Sequence, residues 1–342
     1  MGIYIMNGGI LTTVQDLGRF SYQQYGVSPG GAMDSRSFRL ANFLVGNWEN
    51  EAGLEVTLLG TQIRFTSHAI FAITGGDLTP CLNGQAIDTY RAIQANAGDI
   101  LSFRGLKSGC RSYIAFAGGL DVEPVMGSRA TLIRGAIGGY QGRKLKTGDE
   151  IGFRHPISHL PDLKERHIPP EDFAADTVIL RILLGPQEER FTKEAIQTLL
   201  RETYTVTPQS DRMGYRLEGP KLQHVTDANI ITDGIALGSI QVPGNGQPII
   251  MMAERQSTGG YTKIANVISV DIPKLSQCKA GSMLTFQLVT IEEAHCLYRQ
   301  QHAEMQQLKK RFGRGRYLEI WKTIEEDEFS IKIESMDPYE ED

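Results

Sequence analysis

Four primary amides, an arginine and a tyrosine fall within the segment from Gln241 to Lys263. Gln241, Asn245, Gln247 and Gln256 each offer an acceptor oxygen and two donor hydrogens, a match for ureas, lactams and other amide-like ligands. Arg255 could clamp a carboxylate or phosphate through its planar fork. Pro243 fixes the entry angle of the chain, and the glycines of Thr258-Gly259-Gly260-Tyr261 let backbone approach a ligand closely. The apolar run Ile249 to Ala253 reads as a buried strand between the two polar segments. Five residues at about 3.3 Å each span about 17 Å, so Gln241–Gln247 and Arg255–Tyr261 are expected to line one concave site. Arg255 either turns into that site where the strand ends or braces the fold through Asp211 or Asp233. The plainer reading of the whole stretch is a surface hairpin whose Gly and Pro residues serve turn geometry.

Three further glycine-rich polar segments carry candidate chemistry. In Thr12–Arg19 and Gly26–Asp34, the carboxylates of Asp16 and Asp34 either accept hydrogen bonds from a substrate or cap the elements that follow. In Met126-Gly-Ser-Arg-Ala-Thr131, Ser128, Arg129 and Thr131 could contact an anion. In Ser210–Arg216, Asp211 sits beside Arg212, either as an acid–base pair in the chemistry or as a structural ion pair. Other familiar signatures are missing from the sequence. It contains no Walker phosphate loop, no dinucleotide glycine fingerprint, no His-Glu-x-x-His zinc helix and no Gly-x-Ser-x-Gly nucleophile turn. The 7 histidines are scattered, and the 4 cysteines form no CxxC pair, so no metal site is expected.

The elements that must hold these residues are mostly strands. The 37 glycines and short apolar runs favour many strands joined by tight turns. Candidate strands are Gly60–Phe65, His68–Ile73, Ile100–Phe103, Ser112–Phe116, Val178–Leu184, Ile230–Val242, Pro248–Met252 and Met283–Leu288. Helical patterns cover Ser35–Val45 after Asp34, Phe191–Arg201 with Thr192 as a cap, and Ile291–Phe312. Three segments share the form Gly-Asp/Ser-x-Leu/Ile-x-Phe, starting at Gly98, Gly148 and Gly281. Each reads as a turn feeding a strand. Pro156, Pro161, Pro169 and Pro170 mark a linker, dividing the chain into a domain at 1–160, a second at 175–290 and a tail at 291–342. The tail reads as a charged helix packed on the second domain, a break at Gly313–Arg316, a hairpin over Tyr317–Ile333 and a frayed acidic end. The net charge of −5 gives no general attraction for nucleic acid or anionic membrane. No apolar run approaches the roughly 20 residues that span a bilayer. With no export signal at the N-terminus, a cytoplasmic protein is expected.

Four segments together carry a resemblance: Thr-Val-Gln-Asp-Leu-Gly-Arg (13–19), Gly-Val-Ser-Pro-Gly-Gly-Ala-Met-Asp (26–34), Ser-Asp-Arg-Met-Gly-Tyr-Arg-Leu-Glu-Gly (210–219) and Gln-Val-Pro-Gly-Asn-Gly-Gln-Pro-Ile-Ile (241–250). In this order they resemble the biotin-dependent carboxyltransferase family, which includes allophanate hydrolase subunit 2. The resemblance implies a mainly β protein with two tandem cyclophilin-like β-barrel domains, a few short helices and the helical, charged tail. A chain of this length without attached biotin-carboxylase or carrier segments is most similar to the C subunit of bacterial 5-oxoprolinase. That implies ATP-dependent conversion of 5-oxo-L-proline to L-glutamate in a complex with a KipI-like B subunit and a third subunit. ATP would then be bound by the complex, and no covalently attached biotin is expected. On this reading Asp211, Arg212 and Arg255 are the candidate catalytic residues. Gln241, Pro243, Asn245, Gln247, Thr258, Gly259, Gly260, Tyr261, Asp34 and Arg129 are the candidate substrate contacts. The family also leaves open a KipI antagonist without catalysis, and a subunit of allophanate hydrolase or urea carboxyltransferase type.

Overall fold

A computed structural model describes residues 1–175 and 177–312 of the chain. The first unit encloses its core between two sheets. A six-stranded sheet runs in the order Glu150–Gly152, Gly2–Asn7, Gln62–Phe65, Ile100–Phe103, Pro80–Leu82 and Gln85–Ala86. A five-stranded sheet runs Leu11–Gln15, Gly53–Thr57, Ser108–Phe116, Ala69–Asp77 and Ala92–Ala95. Ile3, Ile5 and Phe65 from one sheet meet Val14, Leu54, Phe71 and Phe116 from the other. Strand residues alternate faces, so Ile70, Ala72 and Ala115 point away from that core. They pack instead under Phe38 and Leu44 of helix α1 (Ser35–Leu44). Cover on both faces explains why Ala69–Ile73 is continuously apolar rather than alternating.

The second unit closes into a seven-stranded barrel. Its order is Thr177–Leu184, Lys263–Val267, Ser239–Gln241, Ile249–Met251, Gly214–Glu218, Tyr204–Val206 and Met283–Leu288. The last strand closes the ring by pairing in parallel with the first, Val178 opposite Leu284 and Leu180 opposite Phe286. Helix α2 (Lys193–Arg201) begins where Thr192 accepts a hydrogen bond from the Ala195 amide at 3.1 Å. A two-stranded ribbon, Asn229–Gly234 with Thr258–Tyr261, stands beside the barrel. The single strand expected over Ile230–Val242 is therefore two, one in the ribbon and one in the barrel. They are broken at Gly238, whose φ of +84° admits no regular strand. Helix α3 (Ile272–Ser276) was not expected; five residues with Pro273 in the first turn leave no helical period to detect.

The three Gly-Asp/Ser segments adopt one turn. Gly98, Gly148 and Gly281 have φ of +93°, +94° and +88°. Their amides donate to Phe65, Ile5 and Val206 carbonyls at 2.8, 2.9 and 2.8 Å. The residue after each glycine reaches back with its side chain: Asp99 accepts from Asn96 N, Asp149 from Lys146 N and Ser282 Oγ from Lys279 N, at 2.6, 2.7 and 3.1 Å. The repeat read in the sequence is thus a recurring strand entry in both units.

Helix α4 covers Ile291–Phe312, the predicted range. It does not rest on the second unit alone, as expected for the tail. Its start, Ala294, packs against Ile268 and Val270 of the second unit. Its end, Met305 and Phe312, is buried with α1 of the first. Arg36 on α1 pairs with Glu304 at 2.9 Å, and Lys309 with Glu49 at 3.4 Å, so α4 straps the two units together. The break, hairpin and acidic end expected beyond it lie outside the described residues.

Candidate functional site

The strand Ile249–Met251 carries the amide-rich segments to one side of the barrel. Its neighbours pair in register, Gln241 and Arg216 both opposite Ile249. The loop before it turns at Gly246, whose amide donates to the Pro243 carbonyl at 2.9 Å, while Asn245 Oδ1 accepts from Gln247 N at 3.0 Å. After the strand the chain reverses and returns as the ribbon strand Thr258–Tyr261. A cavity of about 810 Å³ results, lined by Asp211, Gln241, Pro243, Asn245, Gln247, Gly259, Gly260 and Tyr261 from the expected set, together with Gln256. The two polar segments do share one concave site.

Within this cavity the amides differ in what they have left to offer. Gln247 is engaged at both ends of its side chain, donating to the Gly219 carbonyl at 2.9 Å and accepting from the Gly219 amide at 3.0 Å. Gln241 is only 5 % exposed, yet its Nε2 has no hydrogen-bond partner. Gly259 faces it so closely that a Cβ there would lie 2.9 Å from Gln241 Nε2. A buried amide donor left unpaired costs about 1–3 kcal/mol, and this one lies beneath Gly259 rather than on the cavity surface. Arg134, Arg216 and Glu218 also line the cavity, and Arg134 pairs with Asp211 at 2.9 Å. None of these three was singled out in the sequence; a charge on an exposed turn or strand face reads there as a solvated surface residue.

The remaining candidates lie elsewhere. Thr258 is exposed on the ribbon and outside the cavity lining. The strand stops at Met251, and Arg255 folds inward under the ribbon rather than into the cavity. Its Nε donates to the Ile235 carbonyl at 3.0 Å, and burial lowers its pKa. Neither carboxylate considered as its brace holds it: Asp211 pairs with Arg134 and Asp233 with Lys263, each at 2.9 Å. Arg129 donates through Nε to the Val122 carbonyl at 2.8 Å, and its amide, with that of Gly18 and the Ser128 hydroxyl, satisfies Asp16. Asp16 therefore ties two glycine-rich loops together and caps no element, a role outside both expectations for it.

Arg212 and Asp34 belong to a buried polar seam between the units. Arg212 donates to Glu254 at 2.6 Å, to the Gly31 carbonyl at 2.6 Å and to Glu55 across the interface. Burial pulls its pKa down, but Glu55 and Glu254 outweigh this and raise it. Glu55 also accepts from Met33 N at 2.8 Å and from the Tyr113 hydroxyl at 3.0 Å. Asp34 caps α1 through Ser37 N at 2.9 Å and accepts from Gln277 Nε2 of the second unit at 2.8 Å. Burial pushes its pKa up to about 6. The Arg212–Asp211 neighbours thus form no pair with each other: one joins the units and the other faces the cavity. Glu55, Arg111, Tyr113 and Gln277 were missed in the sequence, although a charge inside Gly53-Leu-Glu-Val-Thr57 or Cys110-Arg-Ser-Tyr-Ile114 was a signal.

The sequence profile of the carboxyltransferase domain, subdomain A and B, matches residues 25–288. The chain is 38% identical over 294 residues to the 5-oxoprolinase C subunit of Escherichia coli, covering 85% of this chain and 92% of that one. It is 35% identical over 298 residues to the 5-oxoprolinase C subunit of Haemophilus influenzae, covering 87% and 94%. The crystal structure of Kluyveromyces lactis urea carboxylase superposes with a TM-score of 0.83 at 31% identity, over 90% of this chain and 29% of that one.

Proposed function

The chain belongs to the carboxyltransferase family of subdomain A and B proteins, and from that premise we propose that it is the C subunit of an ATP-dependent 5-oxoprolinase. The carrying observation is the near end-to-end likeness to two proteins of that name, where the urea carboxylase match is one segment of a much longer chain. The cavity suits the substrate. A lactam presents one carbonyl acceptor and one N–H donor on the same edge, and the side-chain amides of Gln241, Asn245 and Gln256 on the cavity wall offer partners of both kinds. The glycine pair at Gly259 and Gly260 lets the ring approach backbone. Net hydrolysis adds water across the lactam C–N bond, leaving the amine and the new carboxylate of L-glutamate.

The nucleotide is assigned to the complex. The sequence carries no Walker loop, and two glycines of the N-terminal loops are packed on backbone rather than open to a phosphate: a Cβ on Gly31 would lie 2.7 Å from Leu17 backbone, and one on Gly18 would lie 3.0 Å from the Gly30 carbonyl oxygen. The KipI-like B subunit and a third subunit would complete the assembly in the cytoplasm. Phe20 and Tyr25, exposed at 63 % and 73 % on that loop region, support a partner surface there. Mixing the purified chain with both partner subunits and assaying glutamate release from 5-oxo-L-proline tests the proposal. Release that needs ATP and all three chains is expected; an active pair lacking this chain would overturn it.

A further inference from the structure

The floor of the amide-rich cavity is the outer face of the barrel, and strand parity decides which side chains stand on it. Tyr215, Leu217, Ile240 and Ile250 point inward to the barrel core, so their neighbours Arg216, Glu218, Gln241 and Ile249 face outward and line the cavity. Ile249 lies opposite both Gln241 and Arg216, which makes one row across three strands with Arg216 about 10 Å from Gln241 at the backbone. The backbone of Arg216 is fixed at both ends: its amide donates to Ser210 Oγ at 3.0 Å, and its carbonyl accepts from Thr207 N at 2.9 Å. Its guanidinium differs from the other cation on the wall. Arg134 is held by Asp211 at 2.9 Å. Arg216 is exposed, and among the described residues its side chain has no ion pair or hydrogen bond. Glu218 stands about 7 Å further along the same face and does not pair with it. Arg134 and Arg216 balance Asp211 and Glu218 on the wall, so an anion here would be recognised by one free planar fork and not by a general positive field.

We infer that Arg216 receives the carboxylate of the substrate and so selects lactam acids over neutral lactams. This rests on the lactam hydrolysis proposed above for the same cavity. A carboxylate accepts two parallel N–H bonds from a guanidinium, which fixes the orientation of the ring as well as adding affinity. With the carboxylate held there, the methylenes of the ring lie on the half-buried Ile249. The amide edge is then left for Asn245 and Gln256, both exposed on the wall. A carboxylate bound at Arg134 instead would have to displace Asp211. A neutral lactam would keep the amide contacts and miss the fork.

Kinetics and equilibrium dialysis of the full chain assembled with both partner subunits test this, using Arg216→Gln and Arg216→Lys. KM for 5-oxo-L-proline should rise at least tenfold in the Gln variant and recover only in part in the Lys variant, with kcat changed less than KM. Competition by 2-pyrrolidinone, the same ring without a carboxylate, should be equal in wild type and variants. The melting temperature should not move, because the exposed side chain holds nothing else in the fold. Dialysis without ATP reads the preference without turnover: the wild type should retain 5-oxo-L-proline over 2-pyrrolidinone, and the Gln variant should retain the two alike. An inactive wild-type complex that still shows this preference would remove the hydrolysis and leave the carboxylate site standing. An unaltered KM in the Gln variant, equal retention of the two lactams by the wild type, or activity lost only through failed assembly would overturn the role of Arg216.

Discussion

Gln241 and Arg212 are both buried and polar, and the difference in their partners sets opposite expectations. Gln241 has a donor with nothing to bond, so the free protein bears its desolvation cost. Gln241→Leu should therefore stabilise the chain by about 1 kcal/mol while lowering 5-oxo-L-proline turnover in the assembled complex at least tenfold. Urea unfolding beside the glutamate-release assay checks both; an unstable variant with full activity would remove Gln241 from the site. Arg212 is the reverse case, with every donor group engaged by Glu254, Glu55 or the Gly31 carbonyl. Arg212→Ala leaves two carboxylates buried without their main counter-charge and should cost about 3–5 kcal/mol. Arg212→Lys should recover only part of this, because one ammonium cannot bridge three acceptors arranged for a planar fork. Melting curves for both variants decide it: a loss below about 1 kcal/mol for the alanine variant would mean that the seam does not hold its ion pairs in solution.

At the scale of elements, the shared strand-entry turn gives a cleaner test than any core residue. A Cβ on Gly98, Gly148 or Gly281 would meet nothing within 4 Å, so a side chain there changes backbone conformation alone. With φ near +90° in each, Gly→Ala should cost about 1–2 kcal/mol at any one of the three, read as a lowered melting temperature. A triple variant should show roughly the sum, since the turns share no contacts. Unchanged melting in all three single variants would show that the turns relax freely. These turns were legible because glycine followed by Asp or Ser, then alternating apolar residues, is a local signal. Helices α1, α2 and α4 were legible for the same reason, each carrying a cap or a long period. The cavity was legible in part: eleven of its lining residues fall between Gln241 and Tyr261, on or beside a single strand. What escaped was whatever depends on contact across the fold. Arg255 turns under Ile235 because the strand stops at Met251, two residues short of the apolar run. Arg212 finds Glu55 more than a hundred residues away in the chain, and no local pattern announces that pairing.

The whole molecule depends on a polar seam, and that makes its stability pH-dependent in a calculable direction. Asp34 caps α1 in the first unit and accepts from Gln277 in the second, so it reports on the joint between them. Burial raises its pKa from 3.8 to about 6; the nearby Glu171 adds to this, and the hydrogen bonds from Gln277 and Ser37 oppose it. The sign follows from which state holds the proton. Between 3.8 and about 6 the folded chain keeps Asp34 protonated while the unfolded chain has released it. Stability from this group is therefore full below the lower value, falls as pH rises through the window, and is flat above it. At 1.36 kcal/mol per pKa unit the fall amounts to about 3 kcal/mol. Other carboxylates titrate in the same range, so the informative quantity is a difference between two proteins. Asp34→Asn cannot ionise and keeps an acceptor oxygen for Ser37 N or Gln277. Its stability relative to wild type should rise by up to about 3 kcal/mol between about pH 4 and pH 6 and then level. Urea titrations of both proteins at matched pH measure it directly. A difference that stays constant across the window would show that Asp34 titrates alike in both states, and that the joint between the units is wet rather than sealed.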